Sequence, residues 1–266
     1  MPTTITSRQN PRVKQAAALR NRKSRDERQQ TLVYGPRETL RAIEAGAEVL
    51  EAFLCSALLR GADADAAANA AREAAAEVYE TTPEVFEKLA YGDRLDGMVS
   101  VIRTPQRTLA ELTLGPQPLV AVIEGVEKPG NLGAVLRSAD GAGFDAVVVA
   151  DPVIDLFGPN VIRASTGAVF TKSVAVATVD QTLAWLRGSG APIYATRPDA
   201  TQPYTAADFS AGGVIVLGAE ATGLTGAWHA DDITPLCLPM HGVCDSLNLS
   251  ATAAVLFYEA LRQRSQ

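Results

Sequence analysis

Three separated segments hold the residues of this chain best suited to chemistry: 127-EKPGNLGAVLRSADGAG-143, 214-VIVLGAEATGLT-225 and 245-DSLNLSATAAVLFYEAL-261. Each sets glycines or small polar residues beside an apolar run, the arrangement expected of loops at one end of an α/β layer. In the first, Lys128 to Gly133 follows a strand and opens a helix. A helix start presents free backbone N–H groups, and glycines let a ligand approach closely. Asn131 is also an acceptable cap, so a plain capped turn explains the same residues. Arg137 follows amid Ala134, Val135, Leu136 and Ala139. An arginine so placed must find a carboxylate or reach the surface, where a phosphate or ribose can meet it. Glu220 lies just beyond the apolar run 214–217, where ligands of open α/β sheets commonly sit. It can accept hydrogen bonds from an amine or hydroxyl, pair with Arg137, or cap a following helix. Ser246 or Asn248 either caps the last helix or points into a site.

A fourth stretch, 233-ITPLCLPMHG-242, reads as a strand ending in a loop. Leu238, Pro239 and Met240 would form an apolar wall with exposed carbonyls, suited to an adenine ring. Cys237, His241 and Cys244 could present three ligands to zinc, but no fourth is evident. Small loop cysteines are the better reading, and no metal is expected. There is no G-x-G-x-x-G in the strand-to-helix turn and no G-x-x-x-x-G-K-S/T, which argues against nicotinamide and phosphate-loop chemistry.

These segments need elements to hold them. From residue 119 onward, strands are expected at 119–123, 146–149, 174–177, 192–195, 214–217 and 233–238. Helices are expected at 131–142, 160–167, 180–187 and 247–262. The strand runs lack polar alternation, which predicts a parallel sheet covered on both faces. Before it, 31-TLVYG-35, 49–55, 77–80 and 98–102 read as strands alternating with helices at 37–45, 63–75 and 83–90, a smaller α/β domain. The Pro- and Gly-containing stretch between them reads as a linker with one helical turn near Leu109 to Leu112. The resulting division is 1–103, 104–118 and 119–266.

The formal net charge of −6 argues against a nucleic-acid partner until it is divided. Residues 1–30 carry Arg8, Arg12, Lys14, Arg20, Arg22, Lys23, Arg25 and Arg28 against Asp26 and Glu27, a local +6, leaving −12 for the remainder. Polyanion binding needs a local positive surface. Residues 10–29 read as a helix started by Asn10-Pro11, anchored by Val13, Ala16, Ala17 and Leu19. Its basic side chains form either a solvated face or an arm along RNA phosphates. Three scattered cysteines suggest no disulfide framework and favour a reducing, cytoplasmic setting. No signal peptide or membrane span is expected.

The three leading segments closely resemble the motifs of the SpoU-type (TrmH-like) RNA 2′-O-ribose methyltransferases. Asn131-Leu132-Gly133 through Arg137-Ser138-Ala139, Leu217-Gly218-x-Glu220-x-x-Gly223-Leu224, and Ser246-Leu247-Asn248-x-Ser250 occur in the family's order, with 163-RASTGAVF-170 between them. The likeness covers about residues 119–264. The first hundred residues resemble an L30e-like substrate-binding domain, through Ser7 to Pro11, the basic helix and Gly35-x-Arg37. Two positions depart from that pattern. Tyr34 stands where relatives often have glutamate, and Asp96 where glutamine or histidine is common.

The resemblance implies a trefoil-knotted parallel-sheet methyltransferase domain behind the small α/β domain. It also implies S-adenosyl-L-methionine as cofactor, and a homodimer with the 131–142 and 247–262 helices as contact surfaces. The implied reaction is methyl transfer to a ribose 2′-hydroxyl, with RNA, ribosomal rather than transfer RNA, as substrate. In that frame Arg137 activates the hydroxyl and Asn131 holds Arg137 or the ribose. Glu220, Ser246 and Asn248 organise the loops. Backbone groups around Leu217, Gly218, Leu238, Met240 and Leu247 hold the cofactor. Arg37 joins the eight basic residues as an RNA contact. Two competing readings are a noncatalytic RNA-binding protein and an S-adenosylmethionine enzyme acting on a small molecule. The intact Asn131, Arg137 and Glu220 speak against the first. The basic segment and the preceding domain speak against the second.

Overall fold

The computed structural model describes residues 3–61, 63–92, 94–170 and 173–265. The chain forms two compact units, Met1–Gln106 with Asp155–Thr171, and Arg107–Ile154 with Lys172–Gln266.

In the first unit a five-stranded sheet has the order β1-β4-β3-β5-β2. Its strands are β1 (Thr3–Ile5), β2 (Gln30–Tyr34), β3 (Val49–Leu54), β4 (Glu77–Thr81) and β5 (Met98–Arg103). β1, β4 and β3 run parallel, whereas β5 is antiparallel to both β3 and β2. Alternation along the strands supplies two cores. Phe53, Val99 and Val101 pack with Val13, Ala16, Val85, Phe86 and Leu89 on one face. Ala52, Leu54 and Met98 pack with Ala67, Ala68, Ala71, Leu40 and Ile43 on the other. The helices are α1 (Pro11–Ala18), α2 (Arg22–Arg28), α3 (Pro36–Glu44), α4 (Ala64–Ala74) and α5 (Pro83–Leu89).

The basic segment is two helices, not one. Asn10 caps α1 by accepting from the Arg12 amide at 2.8 Å, with Pro11 in the first turn. A second cap, Asn21, accepts from the Lys23 amide at 2.9 Å and starts α2 in a new direction. The turn carries Arg25 inward, where it is 8% exposed. Its guanidinium pairs with Asp155 at 2.8 Å and donates to the Leu19 and Arg20 carbonyls. Asp155 belongs to a segment that packs with this unit and contains α7 (Pro159–Ala164). The Thr31 hydroxyl donates to the Phe157 carbonyl at 2.7 Å, and Arg41 to the Thr166 carbonyl and hydroxyl. Residues 163–170 therefore belong to the N-terminal unit.

The second unit is a six-stranded parallel sheet in the order β11-β9-β10-β6-β7-β8. The strands are β6 (Leu119–Glu124), β7 (Ala146–Ala150), β8 (Val174–Ala177), β9 (Ile193–Thr196), β10 (Gly213–Leu217) and β11 (Ile233–Leu236). Every residue of β6, β7 and β10 is buried, which explains the absence of polar alternation. The helices are α6 (Pro129–Gly141), α8 (Val179–Ser189) and α9 (Leu249–Arg264). α8 lays Val179, Leu183 and Leu186 on one face of the sheet, beside Trp228. α6 and α9 pack against each other, and the Phe257 ring of α9 lies 4.2 Å from Phe144 between centroids.

The stretch expected as a linker is better ordered than its prolines suggest. Leu109, Leu112 and Leu114 pack on the second unit's core. A capping box between Thr108 and Glu111 closes a 3-10 turn at Leu109–Glu111, and the Val176 amide donates to the Arg107 carbonyl. Residues 104 and 106 instead bond to Gln29 of the first unit.

Candidate active site

The parallel sheet ends in a set of loops at the carboxyl edges of β6, β9, β10 and β11. α6 begins three residues earlier than a capping Asn131 would require. Lys128 is its cap, and Pro129, which needs no amide partner, takes the first turn. Asn131 is thus inside the helix with its amide free for other partners. At the start of α9, Asn248 is the cap: its Oδ1 accepts from the Ser250 amide at 2.9 Å and hydroxyl at 2.7 Å. Ser246 makes no capping bond and lies on the cavity wall.

These two helix starts meet at Glu220. The Asn131 Nδ2 donates to Glu220 Oε1 at 2.8 Å, Asn248 Nδ2 donates to the same oxygen, and Lys128 Nζ pairs with Oε2. Asn248 Nδ2 also donates to Asn131 Oδ1 at 3.2 Å. One carboxylate therefore ties together the loop after β10, the start of α6 and the start of α9. The hydrogen bond from Lys128, then that from Asn131, holds the Glu220 carboxyl below the usual carboxylate range. The same contact raises Lys128. The network is fully formed above the unfolded carboxylate pKa and is lost only as pH falls through the depressed value. At neutral pH Glu220 is an anchor with its oxygens occupied, not a ready proton acceptor.

The loop carrying Glu220 is fixed from beneath. Glu124, buried at the end of β6, accepts from the Thr225 amide at 2.9 Å and from the Thr225 hydroxyl at 2.7 Å. The Gly223 amide donates back to the Ala219 carbonyl at 2.9 Å, closing a tight turn. Gly218 has no room for a side chain: a Cβ there would lie 2.3 Å from the Gly223 carbonyl carbon.

Beside this junction is a cavity of about 400 Å³. That lies within the roughly 300–1,000 Å³ usual for small-molecule sites. Leu217, Leu236, Leu238, Met240 and Leu247 supply apolar wall, with Gly218, Glu220 and Ser246 also on the lining. Apolar faces beside the backbone of bent strand ends suit a purine, and the polar residues suit an amino-acid end. The donor set fits S-adenosylmethionine.

Arg137 is the exception. It is exposed on α6 and makes no hydrogen bond or ion pair among the described residues. Six helical residues place it about 120° around the axis from Asn131. Asn131 does not hold Arg137, and Glu220 pairs with Lys128 instead. Lys128, Glu124, Thr225 and Arg197 join the site without having been singled out in the sequence. The acid closing the apolar run 119–123 was the available signal for Glu124.

The expected RNA contacts lie in the first unit and divide by burial. Lys14, Arg22 and Lys23 are exposed, and Arg22 and Lys23 pair loosely with Asp26 and Glu27. Arg8 pairs with Glu87, Arg12 with Glu51 at 2.7 Å, and Arg37 with Asp63 at 3.2 Å. Arg28 donates to the Gln15 carbonyl at 3.3 Å. Arg20 donates to the Lys88 and Ala90 carbonyls, and Arg25 is buried as described. Arg25 is thus corrected from a phosphate contact to an internal tie. No group of three His, Cys, Asp or Glu among the described residues is placed to hold a metal ion. No described helix is long and apolar enough to cross a membrane.

Residues 118–258 match the SpoU rRNA Methylase family, and residues 10–100 match the MRM3-like substrate binding domain. The chain belongs to the SpoU rRNA methylase family. It is similar to 23S rRNA (guanosine(2553)-2′-O)-methyltransferase RlmP of Bacillus subtilis (strain 168), 26% identical over 254 residues that span 96% of this chain and 97% of that protein. It also resembles the crystal structure of an RNA 2′-O ribose methyltransferase, with TM-score 0.85 and 41% identity over 99% of this chain and 100% of that one. A third likeness is to the SpoU methyltransferase AviRb from Streptomyces viridochromogenes in complex with AdoMet. There the TM-score is 0.84 and the identity 27%, over 97% of this chain and 99% of that one.

Proposed function

We propose that this protein transfers a methyl group from S-adenosylmethionine to a ribose 2′-hydroxyl of ribosomal RNA, with Arg137 acting on the hydroxyl. The observation that carries this reading is the Glu220 junction. The carboxylate of one motif loop bonds to the helix starts of the other two, beside a cavity suited to the cofactor. A noncatalytic RNA-binding protein would have no use for that cavity. Relatives named as acting on 23S rRNA favour ribosomal over transfer RNA.

When bound, the cofactor supplies a methyl group on a sulfonium, an electrophile whose departing thioether is neutral. The residues must then orient the ribose and stabilise charge on O2′ as its proton leaves. A guanidinium stays protonated at working pH and is a poor base. Arg137 therefore works as a fixed positive charge and hydrogen-bond donor at O2′ or at the adjoining phosphate. Asn131 and Asn248, locked by Glu220, hold the two helix starts in register. Leu217, Gly218, Leu238, Met240 and Leu247 form the cofactor wall, and Ser246 adds a polar group to it.

The assembly we propose is a homodimer through α6 and α9, on a catalytic unit closed as a trefoil knot. The exposed Val255 and Tyr258 on α9 support the contact surface. The N-terminal unit binds the RNA. The direct test is purified protein with labelled S-adenosylmethionine and fractionated ribosomal and transfer RNAs, followed by mapping of the modified nucleotide. Label in ribosomal RNA, resistant to alkaline cleavage at one position, is the expected result. Label only in transfer RNA would overturn the substrate assignment.

Two further outcomes are expected. Gly218→Ala pushes a methyl into the Gly223 backbone, which no side-chain rotation relieves. Calorimetry should show S-adenosylmethionine binding weakened at least about fivefold, the lower end of an overpacking cost expressed as affinity. Circular dichroism should show the secondary structure retained. Replacing Lys14, Arg22 and Lys23 together with glutamine should weaken RNA binding and lower its salt slope by about one for each phosphate no longer neutralised. Methyl transfer at saturating RNA should persist. An unchanged slope would make these residues a solvated face.

A further inference from the structure

Arg197 lines the same cavity, and none of the roles above uses it. It follows β9 directly, at the carboxyl edge of the sheet, and its amide donates to the Leu236 carbonyl at 2.8 Å. Asp199 braces the guanidinium: Nε donates to Oδ1 at 3.0 Å and Nη2 to Oδ2 at 2.5 Å. The arginine side chain is 20% exposed and the aspartate 66%. The brace is thus on the solvent side and the guanidinium is the covered partner.

This arrangement does more than neutralise a charge. A fork held through Nε and Nη2 has a fixed plane, and its remaining nitrogen, Nη1, makes no hydrogen bond among the described residues. Among the described residues on the cavity lining, Arg197 is the one Lys or Arg; the acids are Glu220 and Asp245, and the rest are apolar or neutral. Glu220 is already satisfied by Lys128 and two amides. A preset donor in a largely apolar cavity selects an anionic group on the occupant. We infer that Arg197 receives the methionyl carboxylate of S-adenosylmethionine, with Asp199 as the positioning residue that fixes its plane. This rests on the function proposed above and adds the part of the cofactor that the apolar walls cannot recognise.

The test compares S-adenosylmethionine with its decarboxylated form, which keeps the adenosine, sulfonium and ammonium and lacks only the carboxylate. Calorimetry on the purified protein should show wild type preferring the carboxylated ligand by about 10- to 100-fold, the range for a hydrogen bond to a charged group. Arg197→Met should lose that preference by weakening S-adenosylmethionine alone. Arg197→Lys should keep part of it, because an ammonium supplies charge without the planar fork. Asp199→Asn should reduce the preference without abolishing it. If Arg197→Met retains the preference, or weakens both ligands equally, the inference falls while the proposed function stands. A loss of RNA affinity with the preference intact would place Arg197 on a phosphate and equally overturn it. If wild type binds neither ligand, the proposed function falls, and this inference with it.

Discussion

Arg137→Ala should lower kcat for methyl transfer by at least about 10²-fold, the usual effect of removing one donor aimed at developing negative charge. S-adenosylmethionine binding should stay within a few-fold. The separation is sharp because Arg137 is not on the cavity wall and is bonded to no other described residue. Its exposed position on α6 also predicts a thermal midpoint close to wild type, since surface substitutions away from special features usually change stability by less than about 0.5 kcal/mol. Arg137→Lys should fail nearly as badly, because a point charge cannot reproduce the planar fork at O2′ or at the adjoining phosphate. Single-turnover kinetics with saturating cofactor and RNA gives the measurement. Retention of most activity in either variant would remove Arg137 from the chemistry. A variant that fails to fold would show that α6 needs the side chain structurally, contrary to its exposure.

The reaction class was legible through the resemblance of three motifs to those of a known family, and each motif is local: a strand end, a turn and a helix start. The parallel sheet was legible for a related reason: runs such as 119–123 and 146–149 have no polar face to offer water. What local pattern could not supply was pairing across the chain. Asn131 looked like a cap, and only the fold shows Pro129 taking the first turn and freeing the amide for Glu220. Lys128 carries no signal of its own, because its partner is 92 residues away. β1 escaped notice because three residues carry no periodicity. The segment from Asp155 reads as one more loop and helix of the catalytic region, yet its bonds run to Arg25, Thr31, Arg41 and Tyr91 of the first unit.

The N-terminal arginines show the same limit with the largest energetic consequence. By charge alone Arg22, Lys23 and Arg25 are equivalent members of a basic arm. In the structure the first two face solvent, whereas Arg25 turns inward to Asp155 and the last carbonyls beyond α1. Removing one partner of a buried ion pair leaves the other charge uncompensated, at a cost of about 3–5 kcal/mol. Arg25→Met should therefore destabilise the protein by about that amount, read as a lower urea midpoint. Arg25→Lys should recover only part, since an ammonium can meet Asp155 but not both carbonyls in one plane. The paired control is Lys23→Met on the same helix, which should leave the midpoint nearly unchanged. Asp155→Asn in the Arg25→Met background should restore some stability, because it removes the stranded carboxylate. If Arg25→Met instead matched the control in stability while weakening RNA binding, the arm would be continuous through Arg25, and the tie to Asp155 would contribute nothing in solution.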